Sequence, residues 1–268
     1  MSDTFSGKTV VITGSTRGIG REMARQFAQA GASIVIHGTN SNRAAEVMEE
    51  LTHSGTKAVA CLGDVADPAF ANELAECAME HFGRLDIFIA NAGMVSFEPF
   101  LEMTSDVFRR FMDVHVTGAF QTSQAAAKHM INGGSGGRIL YMASVAGING
   151  MFGYAAYCAA KSAVMSLARV AAIELAPHKI TVNALAPGPV QNEMMDQLWG
   201  PEKLKERCLT IPSGRLAQPE EVAKLALFLA SPDAAYITGQ TMFLDGGATA
   251  AGLYTHEVFK RAAANPAS

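Results

Sequence analysis

Short apolar runs alternate along this chain with longer segments whose apolar residues recur at helical spacing. A strand buried on both faces reads as a continuous apolar run, so the short runs predict a parallel sheet. The predicted strands are Lys8–Thr13, Ser33–Gly38, Lys57–Leu62, Asp86–Ala90, Arg138–Met142, Ile180–Leu185 and Thr241–Leu244.

Helical segments separate most of these runs. Strands alternating with helices predict an α/β fold with a doubly wound parallel sheet and helices on both faces. No linker or repeat interrupts residues 1–268, which predicts one domain. The predicted helices are a segment ending at Ala30, Pro68–Phe82, Thr104–Met130, an Ala-rich stretch from Tyr154 to before Pro177, and Pro219–Ala230.

Composition narrows the class of protein. The 268 residues are 49% hydrophobic, and the net charge of −4 gives no electrostatic footprint for nucleic acid or an anionic membrane. No stretch is expected to provide the ~20 apolar residues of a membrane span, and residues 1–8 lack a signal-peptide core. Four scattered cysteines and seven histidines show no disulfide or metal-ligand spacing. A cytoplasmic protein with free thiols and no metal is predicted.

A glycine-rich turn follows the first predicted strand. It reads Gly14-Ser15-Thr16-Arg17-Gly18-Ile19-Gly20 and precedes a helical segment. Glycine lets the backbone approach a ligand closely, and a helix N-terminus offers free amides to a pyrophosphate. The spacing departs from the common Gly-x-Gly-x-x-Gly, and such a turn can also be simple strand-to-helix punctuation. The strand before it and the helix after it favour a dinucleotide site.

The end of the second strand bears on the choice of cofactor. An acidic residue is expected there when the adenosine ribose carries a free 2′-hydroxyl. The chain has no carboxylate between His37 and Glu46, so nothing repels a 2′-phosphate. Arg17, Thr39 and Arg43 can donate hydrogen bonds to such a group. NADP is therefore favoured over NAD.

Tyr157 and Lys161 are the main candidates for catalysis. Residues four apart share one face of a helix, so the phenol and the ammonium should lie side by side. A nearby cation favours the phenolate and gives a tunable general acid and base. The alternative interpretation of this pair, taken without the rest of the chain, is a surface Tyr and Lys that merely share a helix face. However, Gly14, Asn91, Ser144 and Pro187 all follow predicted strands, and ligands bind at the carboxyl edge of such sheets.

Together these residues resemble the short-chain dehydrogenase/reductase superfamily of the Tyr-x-x-x-Lys type. The resemblance extends from about Lys8 to Gly247. It implies a single-domain Rossmann fold with strand order 3-2-1-4-5-6-7, and an enzyme that interconverts a secondary alcohol and a ketone with NAD(P). Most members are tetramers, which implies a homotetramer. The matching elements are Thr13-Gly14-x-x-x-Gly18-x-Gly20, Asn91-Ala92-Gly93, Ser144, Tyr157-x-x-x-Lys161 and Pro187-Gly188.

The resemblance also implies residue roles. Tyr157 would exchange a proton with the substrate oxygen, and Ser144 would orient that oxygen. Lys161 would hold the nicotinamide ribose and lower the pKa of Tyr157, while hydride passes between nicotinamide C4 and the substrate carbon. The implied cofactor contacts are Gly14, Thr16, Arg17, Gly18, Ile19, Gly20, Thr39, Asp64, Val65, Asn91, Ala92, Gly93, Tyr157, Lys161, Pro187, Gly188, Val190 and Asn192.

Two positions depart from the family pattern. His115 stands where an Asn usually holds a water that links the catalytic Lys to solvent. An imidazole could replace that relay and add a pH dependence near its ordinary pKa of about 6.5, or His115 could only pack and bond locally. Asn192 replaces a Thr that usually bonds the nicotinamide carboxamide, and an Asn can still do so.

The substrate is less defined. The stretch 96–100 is similar to the sugar- and polyol-oxidising branch, which favours a small hydroxylated substrate. A 3-oxoacyl-thioester reductase acting on acyl carrier protein is the alternative, with a thin basic surface at Lys128, His178 and Lys179. The enoyl-reductase branch spaces its Tyr and Lys more widely, which disfavours double-bond reduction. A protein that is not an enzyme, namely an inactive cofactor-binding regulator on the same fold, is the remaining alternative.

Two further segments are assigned by the resemblance. Residues 188–212 would form a substrate lid, and residues 248–268 a tail at an oligomer interface.

Overall fold

The computed structural model describes residues 4–191 and 200–251. Seven strands form one parallel sheet in the order β3-β2-β1-β4-β5-β6-β7, as the resemblance implied. The strand order reverses between β1 and β4, where a crevice opens at the carboxyl edge. The strands are β1 Thr9–Ile12, β2 Ser33–Gly38, β3 Ala58–Leu62, β4 Ile87–Ala90, β5 Gly137–Met142, β6 Ile180–Pro187 and β7 Thr241–Leu244.

Eight α-helices in the described residues cover the sheet. Successive residues of a strand point to opposite faces, so alternate strand residues feed two separate cores. Val10 and Ile12 pack with α1, α2 and α8 on one face, while Val11 packs with α3, α5 and α6 on the other. The helices are α1 Gly18–Gln29, α2 Ser41–His53, α3 Phe70–Phe82, α4 Ser105–Met112, α5 Gly118–Gly133, α6 Ala155–Leu175, α7 Pro201–Leu209 and α8 Pro219–Ala230.

The predicted helix Thr104–Met130 is not continuous. A π-helical turn, Asp113–Thr117, separates α4 from α5 and contains His115. Such turns interrupt α-helices at functional sites, because an extra residue redirects a side chain. The sequence analysis also assigned no element to α2 or α7. The Asn40 side chain accepts a hydrogen bond from the Arg43 amide at 3.0 Å, and this N-cap was a readable signal for α2.

Helix α6 and the turn after it, Ala155–His178, are long and apolar enough to span a membrane by length and composition. The expectation that no stretch would be long and apolar enough to span a membrane was therefore wrong for length and composition. The inward face of α6 packs against β5 and β6, and that face carries the buried Lys161. Core helices of soluble proteins meet the same criteria of length and composition, so this helix alone is weak evidence for a membrane span.

Candidate active site

One cavity at the carboxyl edge of the sheet brings the predicted residues together. It extends from the glycine-rich turn after β1 to the start of α6. Asn192 is outside the described residues, together with the rest of residues 192–199 of the predicted lid and residues 252–268 of the predicted tail. The predicted residues that line the cavity are Gly14, Thr16, Arg17, Gly18, Ile19, Gly20, Thr39, Asp64, Val65, Asn91, Ala92, Gly93, His115, Ser144, Tyr157, Lys161, Pro187, Gly188 and Val190.

The turn between β1 and α1 requires glycine at two positions. Gly14 has φ +65°, in the left-handed region that other residues rarely adopt. A Cβ on Gly20 would lie 2.2 Å from the Gly14 carbonyl oxygen, closer than any real contact allows. The first turn of α1 therefore lies directly against Gly14, and this contact leaves no room for a side chain at position 20.

Hydrogen bonds from Asn91 and His37 hold this turn. The Asn91 side-chain amide donates to the carbonyl oxygens of Thr13 and Gly14, at 2.9 and 3.0 Å. The buried His37 accepts a hydrogen bond from the Gly14 amide at 2.9 Å, which makes its other nitrogen the donor to the Gly63 carbonyl oxygen at 3.0 Å. Burial lowers the pKa of His37, in agreement with a ring whose Nδ1 accepts a hydrogen bond. His37 was not among the predicted residues, although a histidine inside a strand of β-branched residues was a visible signal.

The turn and the end of β2 fit an anionic dinucleotide. Helix α1 begins at the cavity with no side-chain cap and no acidic residue in its first turn, so its amides are available to a pyrophosphate. Arg17, Thr39 and Arg43 line the same part of the cavity. Among the described residues neither Arg17 nor Arg43 forms an ion pair, whereas Asp64 is paired with Arg110 at 2.7 Å. Arg110 was not predicted to line the site.

Ser144 and Tyr157 meet at the other end of the cavity. Ser144 follows β5 and accepts a hydrogen bond from the Ala146 amide at 3.2 Å, which fixes it at the start of a short 3₁₀ turn. Tyr157 lies in the first turns of α6 and lines the cavity together with Ser144. Burial raises the pKa of Tyr157, and the Ser144 side chain partly opposes this.

Lys161 lies one turn further along α6, as the spacing predicted. Its Nζ donates to the Met142 carbonyl oxygen at 2.6 Å and lies 5.6 Å from the centre of the Tyr157 ring. The side chain is 4% exposed, and desolvation lowers its pKa to about 7. The expected lowering of the Tyr157 pKa by Lys161 is not found, because burial dominates and a lysine with this pKa is only partly charged near neutrality.

His115 faces the same pair from the π-helical turn. Its ring is stacked on Phe111 and meets the Tyr157 ring edge-on, with centroids 5.6 Å apart. Its Nε2 lies 2.8 Å from the Met94 carbonyl oxygen, and its buried Nδ1 has no hydrogen-bond partner among the described residues. Burial, and then the charge of Lys161, lower the pKa of His115 to about 3. A pKa this low supports the alternative that His115 packs and bonds locally, and the role of His115 in a proton relay stays a prediction.

The fold and this arrangement define a dinucleotide-dependent oxidoreductase. A family model described as enoyl-(acyl carrier protein) reductase matches residues 14–249. L-rhamnose 1-dehydrogenase (NAD(P)(+)) of Sphingomonas sp. is 39% identical, over 91% of this chain and 96% of that protein. Sorbitol dehydrogenase of Cereibacter sphaeroides is 38% identical, over 91% and 98% of the two chains. A short-chain type dehydrogenase/reductase from Mycobacterium marinum is 37% identical and superposes with a TM-score of 0.86, over 91% and 96% of the chains.

The chain belongs to the short-chain dehydrogenase/reductase superfamily. It is an oxidoreductase that acts on an alcohol or the corresponding ketone with NAD(P).

Proposed function

We propose that this protein is an NADP-dependent dehydrogenase that oxidises one secondary hydroxyl of a sugar or polyol, with Tyr157 as the acid and base. The observation that carries the proposal is that Ser144, Tyr157 and Lys161 line the same cavity as the uncapped N-terminus of α1, with the Lys161 Nζ 5.6 Å from the centre of the Tyr157 ring. The nicotinamide, when bound, supplies the hydride acceptor. Ser144 orients the substrate oxygen, and the Tyr157 phenolate takes its proton, while in the reverse direction the Tyr157 phenol donates that proton.

The sugar-like substrate is supported by two features. The rhamnose and sorbitol dehydrogenases are similar along almost the whole chain. The stretch 96–100, similar to that of the sugar- and polyol-oxidising branch, packs beside Tyr154, which lines the cavity: the Glu98 amide donates to the Gly153 carbonyl oxygen at 2.8 Å and the Phe97 ring meets the Tyr154 ring edge-on. Arg207 of α7 also lines the cavity and adds a cationic side chain that the sequence analysis did not include.

The preference for NADP rests on Arg17, Thr39 and Arg43 and on the lack of a carboxylate at the end of β2. Arg43→Ser should raise the KM for NADP about tenfold and leave the KM for NAD unchanged, since only the 2′-phosphate contact is lost. The matched control is Arg109→Ser, on the exposed side of α4 and paired with Asp106. Equal effects on both cofactors would contradict the assignment.

The substrate class is tested by initial rates with NADP and NAD. The panel contains L-rhamnose, D-sorbitol, a 3-oxoacyl thioester and an enoyl thioester, the last because of the description of the matching family model. We expect turnover with a sugar or polyol and none with the enoyl thioester. Turnover of a thioester alone would overturn the sugar proposal. Tight cofactor binding without turnover of any compound would favour the inactive regulator.

The remaining assignments are part of the same proposal. We infer one domain over residues 1–268, a cytoplasmic location and a homotetramer, with residues 188–212 as the substrate lid. Light scattering of the purified protein tests the tetramer, and a mass of one or two chains would exclude it. Truncation after Gly247 tests whether the tail at 248–268 contributes to assembly or to kinetics.

A further inference from the structure

Arg110 and Asp64 form an ion pair in the wall of the cavity. Arg110, in α4, donates to one Asp64 carboxylate oxygen at 2.7 Å, and the Ala66 amide donates to the other at 3.0 Å. Both side chains of the pair line the cavity, and they are 48% and 41% exposed. An ion pair exposed to this degree contributes little to stability, so the two contacts do more to fix the carboxylate than to hold the fold together.

The loop after β3 is held in place without Arg110. The Gln121 side-chain amide, in α5, donates to the Val65 carbonyl oxygen at 2.6 Å. The backbone of Gly118 lies so close to Val65 that an added Cβ would be 2.9 Å from the same carbonyl oxygen. Removal of the Arg110 guanidinium should therefore leave this loop folded and release only the Asp64 carboxylate.

The base of a bound dinucleotide is expected beside this loop. Strand β3 is the neighbour of β2, and the Gly63 amide donates to the Gly38 carbonyl oxygen at 3.2 Å, so the ends of the two strands lie side by side. A nucleotide with its pyrophosphate at α1 and its adenosine ribose at the end of β2 then reaches the end of β3 with its base. The buried Val65 offers this base apolar surface, and Asp64 is the only acidic residue that lines the cavity in the part of the chain that the structure describes.

A fixed carboxylate at this place can distinguish one base from another. An ionised carboxylate only accepts hydrogen bonds and has about four lone-pair sites, of which Arg110 and the Ala66 amide use one each. The 6-amino group of adenine is a donor, whereas a 6-oxo base such as hypoxanthine presents an acceptor at the same position. Against the effect of partial burial, the Ala66 amide and Arg110 lower the pKa of Asp64, so the carboxylate is ionised at neutral pH.

We propose that Arg110 is a positioning residue that makes the cofactor site select adenine, because it holds the Asp64 carboxylate in the orientation that accepts the 6-amino group. Without the guanidinium, the carboxylate is held at one oxygen only and can turn toward solvent. Arg110 acts through Asp64 and is not itself a contact of the base. NAD and NADP share the base, so the inference rests on the dinucleotide site of the proposed function and not on the sugar substrate.

The test compares the Kd of NADPH with that of its 6-oxo analogue, which carries hypoxanthine in place of adenine. Fluorescence titration of the reduced nicotinamide measures both values without substrate. The wild type should bind NADPH at least about tenfold more tightly, a factor that corresponds to one hydrogen bond of about 1.4 kcal/mol. Arg110→Gln should weaken NADPH binding about fivefold and leave the analogue nearly unchanged, so that the preference falls to about twofold. Arg109→Gln is the matched control, because Arg109 is paired with Asp106 outside the cavity and should keep the wild-type preference.

A double-variant cycle shows whether Arg110 acts through Asp64. Asp64→Asn should lower the preference for adenine to about twofold, since an amide can present either a donor or an acceptor, and the addition of Arg110→Gln should lower it no further. A further loss in the double variant would show that Arg110 contacts the base directly, and would overturn the proposal.

Two other results would also decide against it. A wild-type preference retained in Arg110→Gln would overturn the proposal even if both Kd values rise, because a merely structural role weakens both compounds equally. A wild type that binds both compounds equally would show that Asp64 does not recognise the base. No binding of NADPH by the wild type would instead contradict the dinucleotide site of the proposed function, and the inference with it.

Discussion

The two ends of the cavity are built in opposite ways. At the glycine-rich end, defined by the turn after β1 with His37 and Asn91, each of these two side chains hydrogen-bonds to the backbone of the turn. At the catalytic end, defined by Tyr157, Lys161 and His115, burial shifts the pKa of every titratable group. The hydrogen bonds at the first end fix the turn in the shape that binds a ligand. At the second end, burial destabilises the charged forms of Tyr157, Lys161 and His115, and such shifted pKa values are typical of catalytic groups.

The largest effect is expected at the catalytic end. Tyr157→Phe removes the phenolic oxygen but keeps the ring against His115, so turnover should fall at least about 1000-fold while the Kd for NADPH stays within about twofold. Steady-state rates and fluorescence titration check this. Tyr154→Phe is the matched control, because Tyr154 lines the same cavity and should keep most of its activity. Equal losses in the two variants would contradict the role of Tyr157.

The buried Lys161 should lower the free energy of unfolding, although it is needed for the reaction. Its lowered pKa means that the unfolded chain binds a proton that the folded chain releases between about pH 7 and 10.5, so this contribution to stability rises with pH across that window. In protein stripped of nucleotide, Lys161→Met should be more stable than the wild type at pH 7, by roughly 3 kcal/mol, and the advantage should vanish toward pH 10.

Urea unfolding at several pH values measures this difference, and turnover should fall at least about 100-fold in the same variant. Lys128→Met is the control, on the exposed surface of α5, and should show no pH-dependent difference from the wild type. A Lys161→Met variant less stable than the wild type at pH 7 would mean that the ammonium is well solvated or paired.

At the glycine-rich end a single methyl group should be enough to disturb the site. Gly20→Ala places a Cβ against the Gly14 carbonyl oxygen and the Asn91 amide, so the turn must open. We expect NADPH affinity to fall about tenfold and stability by about 2 kcal/mol. Gly133→Ala, where nothing lies within 4 Å of the added carbon, is the control. Unchanged affinity in Gly20→Ala would show that the turn does not contact the cofactor.

The smallest effect is expected for His115→Asn. Because the pKa of His115 is about 3, the variant should keep the shape of the wild-type pH–rate profile between about pH 5.5 and 8 and change turnover only a few-fold. Loss of a neutral-pH step in the variant would show that His115 titrates during turnover. A step that remains belongs to Lys161, whose pKa is about 7.

Local pattern was enough to predict the sheet and most of its helices. Buried parallel strands must be apolar on both faces, and the Tyr157–Lys161 spacing has one geometric meaning on a helix. The π-helical turn at Asp113–Thr117 was not predictable, because one extra residue leaves the apolar pattern almost unchanged. The pKa values of Lys161 and His115 also depend on burial that no local pattern reports.

His37 was within reach of sequence reasoning, since its place inside a run of β-branched residues already indicated a buried histidine that needs two partners.

The most direct test of the proposed reaction measures hydride transfer from the substrate to the cofactor. The wild type and Tyr157→Phe are each incubated with NADP and a sugar or polyol deuterated at the reacting carbon, and deuterium on the nicotinamide ring is measured by mass spectrometry. We predict transfer of deuterium by the wild type and none above background by Tyr157→Phe, although both bind the cofactor. No transfer by the wild type from any compound of the panel, or equal transfer by the variant, would contradict the assignment of Tyr157 as the acid and base.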